Sequence, residues 1–499
     1  MLFSWRQKAI LLSLLCSACA LTKSEALAQD SAPLKTTPFS RVNNSAPPRV
    51  VQGSAFTSGF SLDYFLQLVE NNYPKLQSAF TEKRIASAKR LEKAGAFDPV
   101  LSSVNEYLRV QDTFTPGKAK DAVHNESRID LLTRSGIKVF TGMRLNPNDT
   151  KTPFVPSGSA GEYYAGLTVP ILRGRVVNEK VAAEDQAKLG EPLAEQLFGA
   201  TRLEVLLKAA AVYWDWVGAK ARIDIAQNLL KIAETRVDQI KERVAKGDLP
   251  ALDISESEQE TQRRRAALLK SEREFQKASF QLSVFLWDSN GSPSMIPGIN
   301  EVPPLTPEPR KLSEVERIDG RKVAIAQRPE LKRIAIEREQ AKVELRLAEN
   351  MKLPAMDAYV LQGADTGQNG IGPVVRAGMS VNFPLRQRTA RGQAEAARLK
   401  IQKLNFDESV EKLRIQAEVD DAVSAMNTSC DRWNATLTEV KKAQQVEEGE
   451  RQRFSAGDGN LFLVNLRERA TAEAKMRLAE VHIDYLQAQA AFRAVTCSL

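Results

Sequence analysis

The sequence states one pattern twice, and a chain that does so must build one kind of unit twice. NYPKLQ at 72–77 returns as RPELKR at 328–333, and FDPVLSSVNEY at 97–107 as LPAMDAYVL at 353–361. TVPILRGR at 168–175 returns as NFPLRQR at 382–388, and AKGDLPALDI at 245–254 as SAGDGNLFLV at 455–464. The spacings agree too: Pro74 to Pro99 and Pro329 to Pro354 are both 25 residues, and Gly247 to Trp287 and Gly457 to Cys497 both 40. Self-similarity of this kind marks a tandem duplication. The first repeat runs over 59–287 and the second over 313–499, joined by a Pro-rich linker at 288–312.

Each copy reads as a helix, a segment of period two, a very long helix, a Gly-Asp break and another long helix. In the first long helix, Val212, Trp216, Ala219, Ile223, Ala226, Leu230, Ala233, Val237, Ile240 and Val244 fall at alternating spacings of four and three, a coiled-coil seam. In the second copy Leu478, Val481, Tyr485, Ala488, Phe492 and Val495 do the same. The long helices of the two copies are expected over 193–246 and 391–456, on the order of 80 to 100 Å long if continuous. Gly247 then supplies a left-handed helix stop, Asp248 an N-cap and Pro250 a first-turn residue, which together make a tight helical hairpin.

The period-two segments read as strands with one greasy face. Val375, Ala377, Met379, Val381 and Phe383 alternate with Arg376, Gly378, Ser380 and Asn382. Ala165, Leu167, Val169 and Ile171 repeat the pattern in the first copy, and Ile137, Val139, Met143 and Leu145 add a second run. Strands of about ten residues suit a tilted membrane crossing. Two per copy make four per chain, too few to close even an eight-stranded barrel, so closure needs several chains. The first hairpin (Pro99 to Pro170) is 71 residues against 30 for Pro354 to Pro384; the extra 41 leave an added strand or an extracellular loop open there.

Arg6 and Lys8 precede the apolar run AILLSLLCSACAL, and Ala26-Leu27-Ala28 follows it, so residues 1–28 read as a secretory signal peptide, with lipidation at Cys19 the lesser alternative. Residues 29–58, rich in Pro, Ser, Thr and Asn, read as a disordered leader. No other segment is apolar enough for a transmembrane helix, so any crossing falls to strands. The formal charge is +8; removing Arg6, Lys8, Lys23 and Glu25 leaves +6, with signs interleaved along helices rather than clustered, which argues against nucleic-acid binding. Enzyme chemistry has no footing either. His124 is expected in a loop and His482 on a charged helix face, both solvated; no Cys or His cluster has metal-ligand spacing, and no P-loop is present, so no metal, cofactor or energy source is expected within the chain. Cys430 and Cys497 lie 27 residues before and 40 after Gly457, a mismatch of roughly 20 Å along antiparallel helices that argues against a disulfide.

These motifs, in this order and twice over, together with AAAVYWDWVGAK at 209–220, resemble the TolC-type outer-membrane efflux proteins across roughly residues 60–499. The resemblance implies a mixed fold: long α-helical coiled-coil hairpins forming a periplasmic α-barrel, plus a transmembrane antiparallel β-barrel of 12 strands shared by three chains. It implies a homotrimer set in outer-membrane lipid, a passive exit duct for efflux or type I secretion, energised by an inner-membrane pump of the resistance-nodulation-division or ABC type. The tips at Gly247, Asp248, Leu249, Gly457, Asp458 and Asn460 would then meet a periplasmic adaptor, and Asp253, Leu463, Asn465 and Leu466 would line the entrance. Members often carry aspartates just after the second tip. Here the run from Asn460 to Leu466 holds no acid, so a carboxylate ring is absent or displaced to Asp253 or Asp458.

Overall fold

In a computed structural model the described residues are 60–111, 119–146, 157–367 and 370–499. The signal peptide, Cys19 and the leader lie outside them. Each half begins with two helices, α1 (Leu62–Asn72) then α2 (Pro74–Ala94), and α5 (Glu314–Gln327) then α6 (Pro329–Asn350), and a proline opens the second of each pair, where the missing N–H costs nothing. Strands come next. The first half forms β1 (Val100–Gln111), β2 (Ala119–Leu132), β3 (Lys138–Leu145) and β4 (Glu162–Pro170); the second forms β5 (Ala355–Gly367) and β6 (Gly370–Asn382). Each half ends in a long helix and a shorter one: α3 (Glu179–Ala245) with α4 (Leu252–Ser283), and α7 (Arg388–Ser455) with α8 (Leu461–Val495). The order helix, helix, strands, long helix, helix thus occurs twice.

Among the described residues the four strands per chain expected from the sequence become six, in one antiparallel sheet ordered β1 to β6. The extra residues of the first hairpin form β2 and β3, not a loop alone. The long helices begin earlier than expected: α3 starts at Glu179 because Asn178 caps it, its side chain accepting from the Val181 amide, and the helix runs on through Pro192. At 67 and 68 residues, α3 and α7 are each about 100 Å long.

Beside the sheet the helices form a row, α2 against α3, α3 against α6 and α6 against α7; toward the far ends the row becomes α4, α3, α8, α7. The main core lies between, where Tyr213, Trp216, Phe65, Leu206, Ile415, Met426, Tyr485 and Leu486 are fully buried. Tyr213 and Trp216 come from AAAVYWDWVGAK and Tyr485 from the α8 seam; Phe65 of α1 and Ile415 and Met426 of α7 close on them. Gly218 lets α3 and α8 approach: a Cβ there would fall 1.9 Å from Ile483 Cδ1. The segment 288–312 is ordered against this core, with Leu312 buried, Val302 and Leu305 packed on it, and the Glu301 carbonyl accepting from the Phe60 amide.

Candidate functional site

Two ends of the molecule carry the features a function can use: the sheet and the paired hairpin tips. In the sheet, register brings side chains of one parity into rows. Leu131, Val139, Leu167, Val360 and Ala377 stand side by side across five strands, and Leu101, Ile129, Thr141, Ala165, Gln362 and Val375 across all six. The outward-facing Val375, Ala377, Met379 and Val381 are exposed, Val375 at 70%. Phe383 lies one residue beyond the end of β6.

The other parity is charged and mutually paired. Glu126, Arg144, Glu162 and Asp365 form one row. Arg144 Nε donates to Glu162 Oε2 at 2.9 Å, Arg376 approaches the same carboxylate at 3.6 Å, and Tyr164 donates to Glu126. Arg128 pairs with Asp130 at 2.6 Å and stacks over Phe140 at 4.2 Å. His124 belongs to this face: it lies in β2, buried, and not in a solvated loop. A sheet with one apolar face and one face of paired charges can separate lipid from a polar lumen.

The tips are two copies of one backbone device. Gly247 (φ 82°) and Gly457 (φ 85°) occupy left-handed positions after α3 and α7. The Gly247 amide donates to Val244 O at 3.0 Å and Asp248 to Arg243 O at 3.0 Å; Gly457 donates to Phe454 O at 3.2 Å and Asp458 to Arg453 O at 3.0 Å. Both are Schellman caps. Asp248 does not cap the next helix as its sequence position suggests: Ala251 occupies that place without a side-chain bond, since Leu249, Pro250 and Ala251 intervene before Leu252. At the second tip Asn460 does cap α8, accepting from the Phe462 amide at 2.8 Å. Leu249 is half-buried, Asp248 exposed, and Asp458 exposed with Arg453 3.8 Å away. Arg243 of α3 lies 5.3 Å from the Phe454 ring of α7, tying the tips together.

Above the tips lies a cluster that sequence reading missed. The side chain of Glu468 in α8 is 0% exposed, and it meets Arg236 of α3, Arg264 of α4 and Arg451 of α7, one arginine from each of the other three helices in that row. Arg236 Nη1 donates to Oε2 at 2.7 Å, Arg264 Nη2 to Oε2 at 2.9 Å and Arg451 Nη2 to Oε1 at 2.8 Å. Burial alone would raise the Glu468 pKa, but the bonds and charges of these arginines outweigh it and hold the carboxyl at about 2. The available signal was position: Glu468 falls four after Val464 and three before Thr471, on the buried side of the helix, where a lone acid needs partners.

The expected entrance residues divide. Leu466 is exposed, while Asp253 and Leu463 are half-buried. Asn465 is 5% exposed, and its Oδ1 accepts from Arg236 at 3.1 Å and Arg264 at 3.4 Å, so in the single chain it belongs to the arginine cluster. His482 is also not solvated; it is buried, bonded to Pro307 O at 2.8 Å beside Trp433. Cys430 and Cys497 are free. Among the described residues no group of His, Cys, Asp or Glu is arranged to hold a metal, and no helix is long and apolar enough to cross a membrane.

No protein-family model matches the sequence, and no curated protein does. Solved structures do. The outer membrane protein VceC of Vibrio cholerae superposes with a TM-score of 0.62 at 14% identity, covering 87% of this chain and 95% of that one. CusC gives 0.63 at 11%, covering 92% and 98%, and the open MtrE outer membrane channel of Neisseria gonorrhoeae 0.63 at 13%, covering 92% and 99%. The chain therefore has the fold of the TolC-type outer-membrane channels, over nearly its whole described length.

Proposed function

We propose that this chain is one subunit of a trimeric outer-membrane exit duct, with its sheet in the membrane and its helices in the periplasm. The observation that carries the reading is the pair of opposed sheet faces. The apolar row Leu131–Val139–Leu167–Val360–Ala377 turns outward, and the charged row Glu126–Arg144–Glu162–Asp365 turns inward, as a lipid-embedded conduit requires. The likeness in fold to outer-membrane channels supports both the location and the transport role.

The duct is passive and not an enzyme; an inner-membrane pump of the resistance-nodulation-division or ABC type supplies energy through a periplasmic adaptor. The twin Schellman tips support adaptor docking at Gly247, Asp248, Leu249, Gly457, Asp458 and Asn460, because each exposes a turn of defined shape at the end of a rigid rod. Asp253, Leu463 and Leu466, one helical turn further in, are the residues left to shape the entrance. The twice-used order of elements supports an origin by tandem duplication.

Planar-bilayer recording on the purified trimer fraction tests the reading. A discrete conductance in that fraction is expected. Silence at every voltage, in the wild type and in Glu468→Gln alike, would overturn it in favour of a structural envelope coiled coil.

A further inference from the structure

We infer that the membrane wall of this duct has 18 strands, six from each of three chains, so that the β2–β3 hairpin is part of the barrel and not an appendage of a 12-stranded one. The inference rests on the trimeric duct reading and deepens it.

The first support is continuity. Hydrogen-bonded register runs unbroken from β1 to β6, and the hairpin is flanked on both sides, β2 by β1 over 12 residue pairs and β3 by β4 over seven. A hairpin lying outside the wall would leave β1 paired to β4. The hairpin also obeys the wall's facing rule, with Ile129, Leu131, Val139 and Met143 on the apolar side and Glu126, Arg128, Asp130 and Arg144 on the charged side.

The second support is anchoring. The turn between β2 and β3 is seated in the helical layer. Arg134 Nε and Nη2 donate to the two oxygens of Glu184 at 3.0 Å each, and its guanidinium lies 4.9 Å from the Phe97 ring. Glu184 is buried at the foot of α3, and Asn178, which caps that helix, donates to Arg134 O at 3.3 Å. Gly136 (φ 80°) packs so close to Gly174 that a Cβ would stand 2.2 Å from its carbonyl oxygen. The turn thus fixes β2 and β3 to the same base as the other strands.

The third support is fit. Among the described residues the sheet is open, since β1 and β6 each pair on one side only, and six strands cannot close alone. β1 leaves the helical layer after Phe97, and β6 returns to it at Asn382, so β1 of one copy meets β6 of the next antiparallel. The two edges are 12 and 13 residues long. A second copy is the occupant these edges select. At about 4.8 Å between strands tilted by about 40°, six strands span an arc of about 38 Å. The row of four helices α2, α3, α6 and α7 below spans about 32 to 40 Å at ordinary interaxial distances. Four strands would span only about 25 Å and force the wall to taper. Backbone diameters are about 36 Å for 18 strands and about 24 Å for 12.

The test is electron cryomicroscopy of the full-length protein in lipid nanodiscs, with crosslinking as a second measurement. A trimer whose wall counts 18 strands, with β1 beside the neighbour's β6, is expected. A trimeric wall of 12 strands overturns the inference and leaves the duct reading intact; no closed wall at any copy number overturns both. For crosslinking, Cys430 and Cys497 are first replaced by serine. Ser103→Cys combined in turn with Val375→Cys, Ala377→Cys and Met379→Cys should give oxidised interchain bands for at least one pair. The same series with Met143→Cys in place of Ser103→Cys should give none. Bands from the Met143 series alone would overturn the arrangement.

Discussion

Arg264 Nη2 donates to Glu468 Oε2 at 2.9 Å, joining two helices through residues 204 positions apart. With Arg236 and Arg451 completing the set, a single buried carboxylate holds the first helical hairpin to the second. Ion pairs at an exposed surface contribute little, but this one is desolvated, so removing one partner leaves charge stranded.

Glu468→Gln should therefore destabilise the helical region by about 3 to 5 kcal/mol. Thermal loss of helical circular dichroism reads this directly. An apparent Tm equal to wild type would show that the arginines find other partners.

The same carboxyl sets a pH dependence. Its pKa is lowered from 4.5 to about 2 in the folded chain, so its contribution is complete above pH 4.5 and declines as pH falls toward 2. The Tm difference between wild type and Glu468→Gln should be constant from pH 7 to 5 and shrink between 4.5 and 2. A difference that stays constant down to pH 2 would remove Glu468 from the linkage.

Sheet facing can be tested at adjacent positions. Val375→Arg places a charge on the outer face near the middle of β6 and should cost about 2 to 4 kcal/mol of membrane stability, whereas Val374→Arg, on the inner face, should be tolerated. The readout is the fraction of folded, heat-modifiable trimer. Equal yields would mean that the faces are assigned the wrong way or that β6 is not in lipid. Met379 lies three residues from the helical end of β6, nearer the interface, and a charge there should cost less than at Val375.

At the tips, Gly457→Val meets no neighbour within 4 Å, yet it forces a β-branched residue to φ 85°, a local cost on the order of 1 to 3 kcal/mol. Trimer assembly should survive while export falls. Loss of trimers instead would make this glycine a folding residue and remove the support for docking.

Cation block reports on the entrance. Asn465→Asp should leave trivalent-cation block of single-channel current unchanged, because the new carboxylate points at Arg236 and Arg264. Asp253→Asn should weaken whatever block the wild type shows. Tighter block in Asn465→Asp would return that residue to the opening.

Seams spaced three and four were legible in α3 and α8, since a coiled coil repeats the same local contact and writes it along the chain. The Gly-Asp breaks were legible for a similar reason: a left-handed position is a property of one residue. β6 was visible because its outer face is nearly all apolar. β2 was not. Asn125 and Ser127 sit on its outer face between Val123 and Ile129, and His124, Glu126 and Arg128 fill the inner one, so alternation in polarity never stands out. It is a strand because β1 and β3 satisfy its backbone on both sides, which is a fact about neighbours.

The sequence by itself determined where helices run, where they turn back and which face of β6 is apolar, because these depend on residues within a few positions of one another. Only the tertiary structure decided the number of strands, the burial of Asn465 and the role of Glu468. Each of these depends on groups far apart in the chain: the turn at Arg134 reaches Glu184 across 50 positions, and Glu468 reaches Arg236 across 232. A buried charge looks the same in sequence as a solvated one until the fold brings its partners, and desolvation then turns the pairing from a weak contact into a strong one.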